Sequence, residues 1–253
     1  MKTMALCLAL CFAILWDKSA IAQPGKLVLN ASYSSPIVAP DKSGYLDRLY
    51  QELFRRLGIP VEIQALPAER ALQNANDGID DGDVCRVAGL TDLYTNLVRT
   101  SEPVMAYQHV VFSRTRRFRV TGPASLEPYD VGIVTGLKIV EQNTTRHRSR
   151  IMLDDAEQLF RMLDQGRVEV AVLERTAGTY AVKKLGLAGI RILSPPLLAG
   201  DWYLYLHKRH AALIPLIDRE LRAMKQDGTY ERIRREVLAQ YEQGFDLREE
   251  AIR

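Results

Sequence analysis

Apolar and polar positions along this chain follow two rhythms, one of period two and one near 3.6, and the two keep changing places. Residues 26–31 form a short apolar run that predicts a strand, and residues 32–43 a loop containing Pro36 and Pro40. From Gly44 to Leu57, the positions Leu46, Leu49, Tyr50, Leu53, Phe54 and Leu57 recur at helical spacing, and Gly58 supplies a stop. Residues 60–66 alternate through Val61, Ile63 and Ala65, as a half-buried strand does. Pro67 suits the first turn of a helix reaching Asn76, with Gly78 past its end. Residues 83–88 predict a third strand, 89–96 a loop of little apolar content, and 104–113 another strand.

A basic stretch, Arg114–Arg119, and the turn Gly122-Pro123 interrupt the pattern, and a second series follows. It predicts a strand over 131–134, a helix over 137–143, and a helix opened by a capping box at Asp154–Glu157 and closed near Gly166. A strand over 168–173, a helix over 176–184 and a strand over 190–193 complete it. Pro195-Pro196 and Gly200 mark a second break, after which 202–207 predicts a strand. Helices over 211–225 and 229–241 close the chain, the second with the stripe Tyr230, Ile233, Val237, Leu238 and Tyr241. Such alternation favours mostly parallel sheets with helices on both faces. The expectation is an α/β chain of two lobes, each a mostly parallel sheet flanked by helices, joined by two hinge crossings. A cleft then lies between them, at the carboxyl ends of the strands. Residues 23–113 with 202–245 make the first lobe, 114–201 the second, and 246–253 a tail.

Residues 1–22 stand apart from both rhythms. Lys2 precedes an apolar run from Ala5 to Trp16, and Ala20-Ile21-Ala22 offers a small-x-small cleavage site. The run is short for a bilayer span, so it predicts a cleavable signal peptide and a periplasmic, exported product. Cys7 and Cys11 fall inside that signal, and each follows Leu rather than the small residue of a lipid-anchoring signal. Cys85 alone remains, which excludes an internal disulfide and a cysteine-based metal site, and its apolar setting predicts an inert buried thiol. With 47% hydrophobic and 26% charged residues the composition is that of an ordinary globular protein. A net charge of +3 gives no support to a nucleic-acid partner, and the arginines of 114–119 predict a solvated connector.

Read in order, NASYSSP, GYLDRLYQELFRRLGI, VAGLTDLYTNLVRTSEPV, VGIVTGL, LFRMLDQGRVEVAVLER and MKQDGTYERIRREV resemble the family 3 solute-binding proteins. These are periplasmic, type 2 binding domains associated with ABC transporters and best known from polar amino acid import. The resemblance runs from Lys26 to Tyr241. It implies a monomer that closes by a hinge around a small polar or charged, amino-acid-like ligand, without a cofactor. Its partner would be an ABC permease or a membrane sensor. The departures fall at ligand positions. Thr91 matches the family's Thr, but Tyr94 stands at or near the Arg that clamps a ligand carboxylate. Gly136-Leu137 replaces Gly-Thr, and Glu174 stands where an aspartate commonly meets an α-amino group. A standard α-amino acid is therefore put in doubt.

The residues themselves offer the following site. Arg86 suits bidentate capture of a carboxylate or phosphate, or else pairs with Asp81 or Asp83. Arg70 lies on the short helix, facing cleft or solvent. Tyr33 can stack on a ligand at the cleft mouth or pack in its loop. Gly89 and Thr91 offer donors where glycine permits close approach, or form an ordinary turn. Thr135 and Gly136 precede a helix whose amides would attract an anion. Glu174 would meet a cationic or hydroxylated group, or cap the helix that follows it. Trp202 and Tyr203 line the cleft or pack the hinge. No metal is expected, since His109, His147, His207 and His210 lack ligand spacing.

No nucleophile elbow or phosphate-cradling loop occurs, so no catalytic residue is expected. Two alternatives to a solute carrier remain. One is a periplasmic enzyme like the cyclohexadienyl dehydratases of this fold class, with Glu174 as acid or base. The other is a ligand-sensing module for a membrane signalling partner.

Overall fold

A computed structural model describes residues 25–32 and 35–242. The expected signal peptide, the C-terminal tail and Tyr33 lie outside the described residues.

The chain begins with β1 (Leu27–Ala31), α1 (Tyr45–Leu57) and β2 (Val61–Ala65). Then come α2 (Ala68–Asp77), β3 (Gly82–Val87), β4 (Leu97–Arg99) and β5 (Met105–Ser113). The second series is β6 (Asp130–Val134), α3 (Lys138–Asn143), β7 (Ser149–Leu153), α4 (Ala156–Asp164), β8 (Val170–Glu174) and α5 (Arg175–Lys184). It ends with β9 (Arg191–His207), α6 (Ile214–Gln226) and α7 (Thr229–Glu242).

One nine-stranded curled sheet runs in the order β2-β1-β3-β9-β5-β8-β6-β7, with β4 pairing β9 to the side. β1 pairs in parallel with β2 and β3, and β6 pairs in parallel with β7 and β8. Between these parallel sets run β5 and β9, antiparallel to each other and to their neighbours β8 and β3. The two lobes are thus parallel units hung on two long antiparallel strands. That architecture is what the alternation of rhythms implied.

Local chemistry explains the elements. The apolar stripe of α1 is buried through Leu46, Leu49, Tyr50, Leu53 and Phe54, and Gly58 ends the helix at φ 69°. Asp155 caps α4 by accepting the Gln158 amide at 2.8 Å, one residue later than the capping box expected over Asp154–Glu157. Tyr45 and Tyr230 both donate to the Val104 carbonyl, at 3.0 and 3.1 Å, which ties α1 and α7 to the entry of β5. The core is continuous through both lobes, from Leu29 and Phe54 through Val110 and Phe112 to Ile133, Phe160 and Val172.

One strand expectation and one helix start are corrected, and two strands were not foreseen. The strands over 190–193 and 202–207 are one strand, β9, and the expected break at Pro195-Pro196 is a shift of register against β5 between His109 and Val111. A proline lacks a ladder donor, so it signals a break in sequence but is accommodated at a bulge in a sheet. β4 and β7 carried no clear sequence signal. β4 is three residues long, and β7 is a sheet-edge strand without fully buried positions, so neither shows a buried alternation. The helix expected from Ala211 begins as a 3-10 turn over 208–213 and becomes α6 at Ile214.

Candidate functional site

The carboxyl end of β3 lies opposite Trp202 of β9, and that of β8 opposite His109 of β5. From the first lobe comes Arg86, in β3 and 6% exposed. Its Nη2 donates to the Asp83 carboxylate at 2.7 Å and to the Ala68 carbonyl at 2.8 Å. Of the two pairings open to it in sequence, Arg86 therefore takes Asp83. Burial pushes the Asp83 carboxyl above its usual range, and Arg86 works against that rise. Cys85, beside them, is a buried free thiol whose pKa is pushed well up, first by burial; the Glu174 charge is among those it feels.

From the crossing strands come three rings. Trp202 of β9 stands opposite Met105 of β5 and stacks on Tyr107, with centroids 5.3 Å apart. His109, two residues beyond Tyr107 on the same face of β5, packs edge-on against Tyr107 at 5.0 Å and against Trp202 at 6.2 Å. Opposite His109 across the β5–β8 ladder is Glu174. Directly opposed residues project to the same face, so His109 and Glu174 lie side by side. His109 is fully buried, and neither ring nitrogen has a hydrogen-bond partner among the described residues. Burial alone holds its pKa down to about 3, so the imidazole is neutral.

Glu174 is 2% exposed and ends β8. Its Oε2 accepts the Ala177 amide at 2.8 Å, which makes it the N-cap of α5. Burial raises its pKa to about 7, against the Ala177 and Thr176 hydrogen bonds that favour the charged form. Of the two roles open to it in sequence, Glu174 takes the capping one.

The second lobe closes on the first at Gly136. A Cβ at this glycine would stand 2.6 Å from the Glu69 nitrogen and 2.7 Å from the Ala68 Cβ, so the loop after β6 packs directly on the start of α2. Lys138 bridges the lobes through an ion pair with Glu69 and also reaches Glu141 at 3.4 Å. The Tyr94 hydroxyl donates to Glu69 at 3.4 Å. The amide of Gly136 donates to Glu141 Oε1 at 2.5 Å, so the chain's own carboxylate occupies the donor expected to attract an anion. Between Arg86, Leu90, Leu137, Ile139 and Trp202 only about 20 Å³ remains, the space of about one water. This small cavity is partly open to solvent.

The other expected positions lie at its margin. Thr135 is exposed, and its amide is committed to the Leu153 carbonyl. Gly89 is exposed at φ 86°, opening a 3-10 turn over 90–92 in which Thr91 is half-buried. The Arg70 side chain is exposed, on the first turn of α2. The structure thus brings Arg86, Gly136 and Tyr94 together around Ala68 and Glu69, places Glu174 opposite His109, and leaves Arg70, Gly89, Thr91 and Thr135 outside. Missed in sequence were His109, Tyr107, Glu69 and Lys138. One signal existed for the rings: in MAYQHVVF, alternation places Tyr107 and His109 on one face.

A larger groove of about 500 Å³, open to solvent, lies between the loop at Pro36–Ser43, Tyr180 of α5 and Tyr241 of α7. Among the described residues, none of the expected site positions lines it. Among the described residues no three His, Cys, Asp or Glu side chains gather as metal ligands, and no helix is long and apolar enough to cross a membrane.

No family model matches the chain. An uncharacterised protein of Shewanella oneidensis is 25% identical over 211 residues, covering 78% of this chain and 77% of that one. Among solved structures, a histidine kinase sensor domain with similarity to periplasmic binding proteins superposes with a TM-score of 0.75 at 17% identity, covering 85% of this chain and 97% of that one. An amino acid ABC transporter substrate-binding protein from Streptococcus pneumoniae, bound to L-arginine, superposes with a TM-score of 0.70 at 14% identity, covering 86% and 96%. The chain has the two-lobed periplasmic-binding-protein fold that its resemblance to the family 3 solute-binding proteins implied.

Proposed function

We propose that this protein is an exported binding protein that captures a small polar ligand between its lobes and hands it to an ABC permease or reports it to a membrane sensor. The observation that carries the reading is the set of buried polar groups at the lobe junction, where Arg86 and Trp202 line a small cavity and His109, packed against Trp202, stands opposite Glu174. Buried polar groups at the meeting of two hinged units are what a ligand clamped from both sides requires. Lobes made of 23–113 with 202–245 and of 114–201 would turn about β5 and β9, and ligand contacts to both would favour the closed state. The fold is shared with a transporter-associated binding protein and with a kinase sensor domain, which supports both destinations. The test is thermal unfolding across a broad panel of small polar metabolites. A binder raises the midpoint in proportion to the logarithm of its concentration above Kd. A panel that moves nothing sinks the reading.

A second reading, turnover of a cyclic acid, is favoured by Glu174 alone. A buried carboxyl with a pKa of about 7 is poised to give or take a proton near neutrality. Product formation abolished by Glu174→Gln would support it; equal stabilisation of both proteins by an unchanged ligand would remove it.

A further inference from the structure

The parallel strands β6, β7 and β8 begin at Asp130, Ser149 and Val170, at the opposite end of β8 from Glu174. The two ends of β8 stand about 15 Å apart. The segment after β5 brings Arg114, Arg116, Arg117 and Arg119 to this end, and the turn before β7 brings Arg146 and Arg148, all exposed. Arg167, just before β8, and Arg191, opposite Ser113 in the β5–β9 ladder, are exposed beside them.

Shared partners hold these arginines in one patch. Glu169 pairs with both Arg116 and Arg148 and accepts the Asp130 amide at 3.0 Å. Asp130 also pairs with Arg148, Asp164 with Arg114, and Glu127 with Arg146. Arg117 donates to the Arg116 carbonyl at 2.8 Å. Arg116 stands 5.9 Å over the Tyr129 ring, which stacks on Phe118 with centroids 4.6 Å apart. The carboxylates lie deeper than the guanidiniums: Asp130, Asp164 and Glu169 are half-buried, and Glu127 alone of the four is exposed. The paired arginines nevertheless keep 46–69% of their side chains exposed, so the ion pairs position them without hiding them.

Eight guanidinium groups against four carboxylates leave this end at a net +4, whereas the whole chain carries +3. The remainder of the chain, taken together, is therefore at −1. Such asymmetry makes one end of the molecule attractive to polyanions. All eight cations are arginine, whose planar fork matches phosphate oxygens and is more weakly hydrated than an ammonium. Phe118 and Tyr129, half-buried among them, add the amphipathic rings that suit headgroup depth.

We propose that this arginine-rich end of the second lobe docks the protein on an anionic phospholipid surface through headgroup phosphates. A partner that reads closure must touch both lobes, whereas this patch belongs to one and lies away from the cleft. It is a tether that leaves the lobes free to open and close. The surface goes beyond the binding reading and rests on it only for export, which sets lipid headgroups rather than nucleic acid within reach.

The experiment is co-sedimentation of the purified protein with vesicles of phosphatidylcholine containing about 30% phosphatidylglycerol, and with vesicles of phosphatidylcholine alone. The protein should sediment with the anionic vesicles at about 0.05 M salt, leave them at about 0.5 M, and ignore the neutral ones. Each arginine near such a surface is worth about fivefold in affinity. Joint replacement Arg117→Gln, Arg119→Gln and Arg191→Gln, which keeps the ion pairs of Arg114, Arg116 and Arg148, should therefore weaken binding about a hundredfold. Arg219→Gln, Arg232→Gln and Arg235→Gln together remove the same charge from α6 and α7 of the first lobe, and should leave affinity within about threefold. The proposal is overturned if the native protein ignores anionic vesicles, binds neutral ones equally well, or loses as much affinity in the first-lobe variant. Tighter binding to duplex DNA than to the anionic vesicles, lost with the same three arginines, also overturns it. The metabolite panel tests the cleft, so the binding reading stands or falls separately.

Discussion

Gly136 offers a direct handle on lobe closure. Its φ of 84° is a left-handed conformation, and a Cβ there would stand 2.6 Å from the Glu69 nitrogen and 2.7 Å from the Ala68 Cβ. Ordinary contact between such atoms is about 3.5–4.0 Å, so Gly136→Ala brings an overlap near 1 Å against the backbone at the start of α2. The side chain cannot turn away, and relief comes from parting the lobes. Backbone strain of about 1–2 kcal/mol is borne whether the lobes are open or closed. The overlap, about 1–3 kcal/mol by analogy with overpacked cores, is borne only when they are closed. The closed-to-open ratio should therefore fall about 5- to 150-fold. Gly89→Ala is the control, since its φ is 86° but nothing lies within 4 Å of its Cβ. Small-angle scattering and thermal unfolding read the two effects separately. Both variants should melt earlier, and only Gly136→Ala should show a larger radius of gyration. If the two variants scatter alike and like the native protein, the interlobe contact does not hold the cleft shut and the reasoning fails.

Three further outcomes follow from the same cluster. Arg86→Ala leaves the Asp83 carboxylate buried without its guanidinium and should lower stability by about 3–5 kcal/mol in denaturant titration, while a loss within ~1 kcal/mol would show the pair to be dispensable. His109 has a folded pKa of about 3, below its usual 6.5, so its contribution is present above pH 6.5 and lost as pH falls toward 3, at about 1.4 kcal/mol per unit. His109→Phe should flatten that acid arm; an unchanged slope between pH 6 and 4 refutes it. Glu174 has a folded pKa raised to about 7 from 4.5, so the stability of its protonated form is full below 4.5 and lost as pH rises through 7. Glu174→Gln should remove this loss, seen as a melting temperature that no longer declines between pH 5 and 7.

The positions of the elements were legible because each carries its own period. The stripe of α1, the cap at Asp155 and the buried strands β3 and β8 depend on residues close in sequence. Arg86 and Glu174 were legible for a related reason: a charged residue at the end of an apolar strand has few places to go. Their states were not. Whether Arg86 meets a ligand or Asp83, and whether Glu174 caps a helix, faces the cleft or does both, depends on atoms that three-dimensional packing supplies.

From the sequence alone followed the α/β class, the two series of strands and helices, and the doubt over a standard amino-acid site. These rest on local periodicity and on residue identity at a few positions. The tertiary structure decided that β9 runs unbroken past its two prolines, because a sheet can absorb them in a register shift. It also decided that His109, unremarkable in sequence, stands beside Glu174 beneath Trp202, because strand register sets which side chains are opposed. Finally, it decided that Glu69, Lys138 and Glu141 answer one another's charges where the lobes meet. Those residues lie as many as 72 positions apart, and only the closing of one lobe on the other sets their separation.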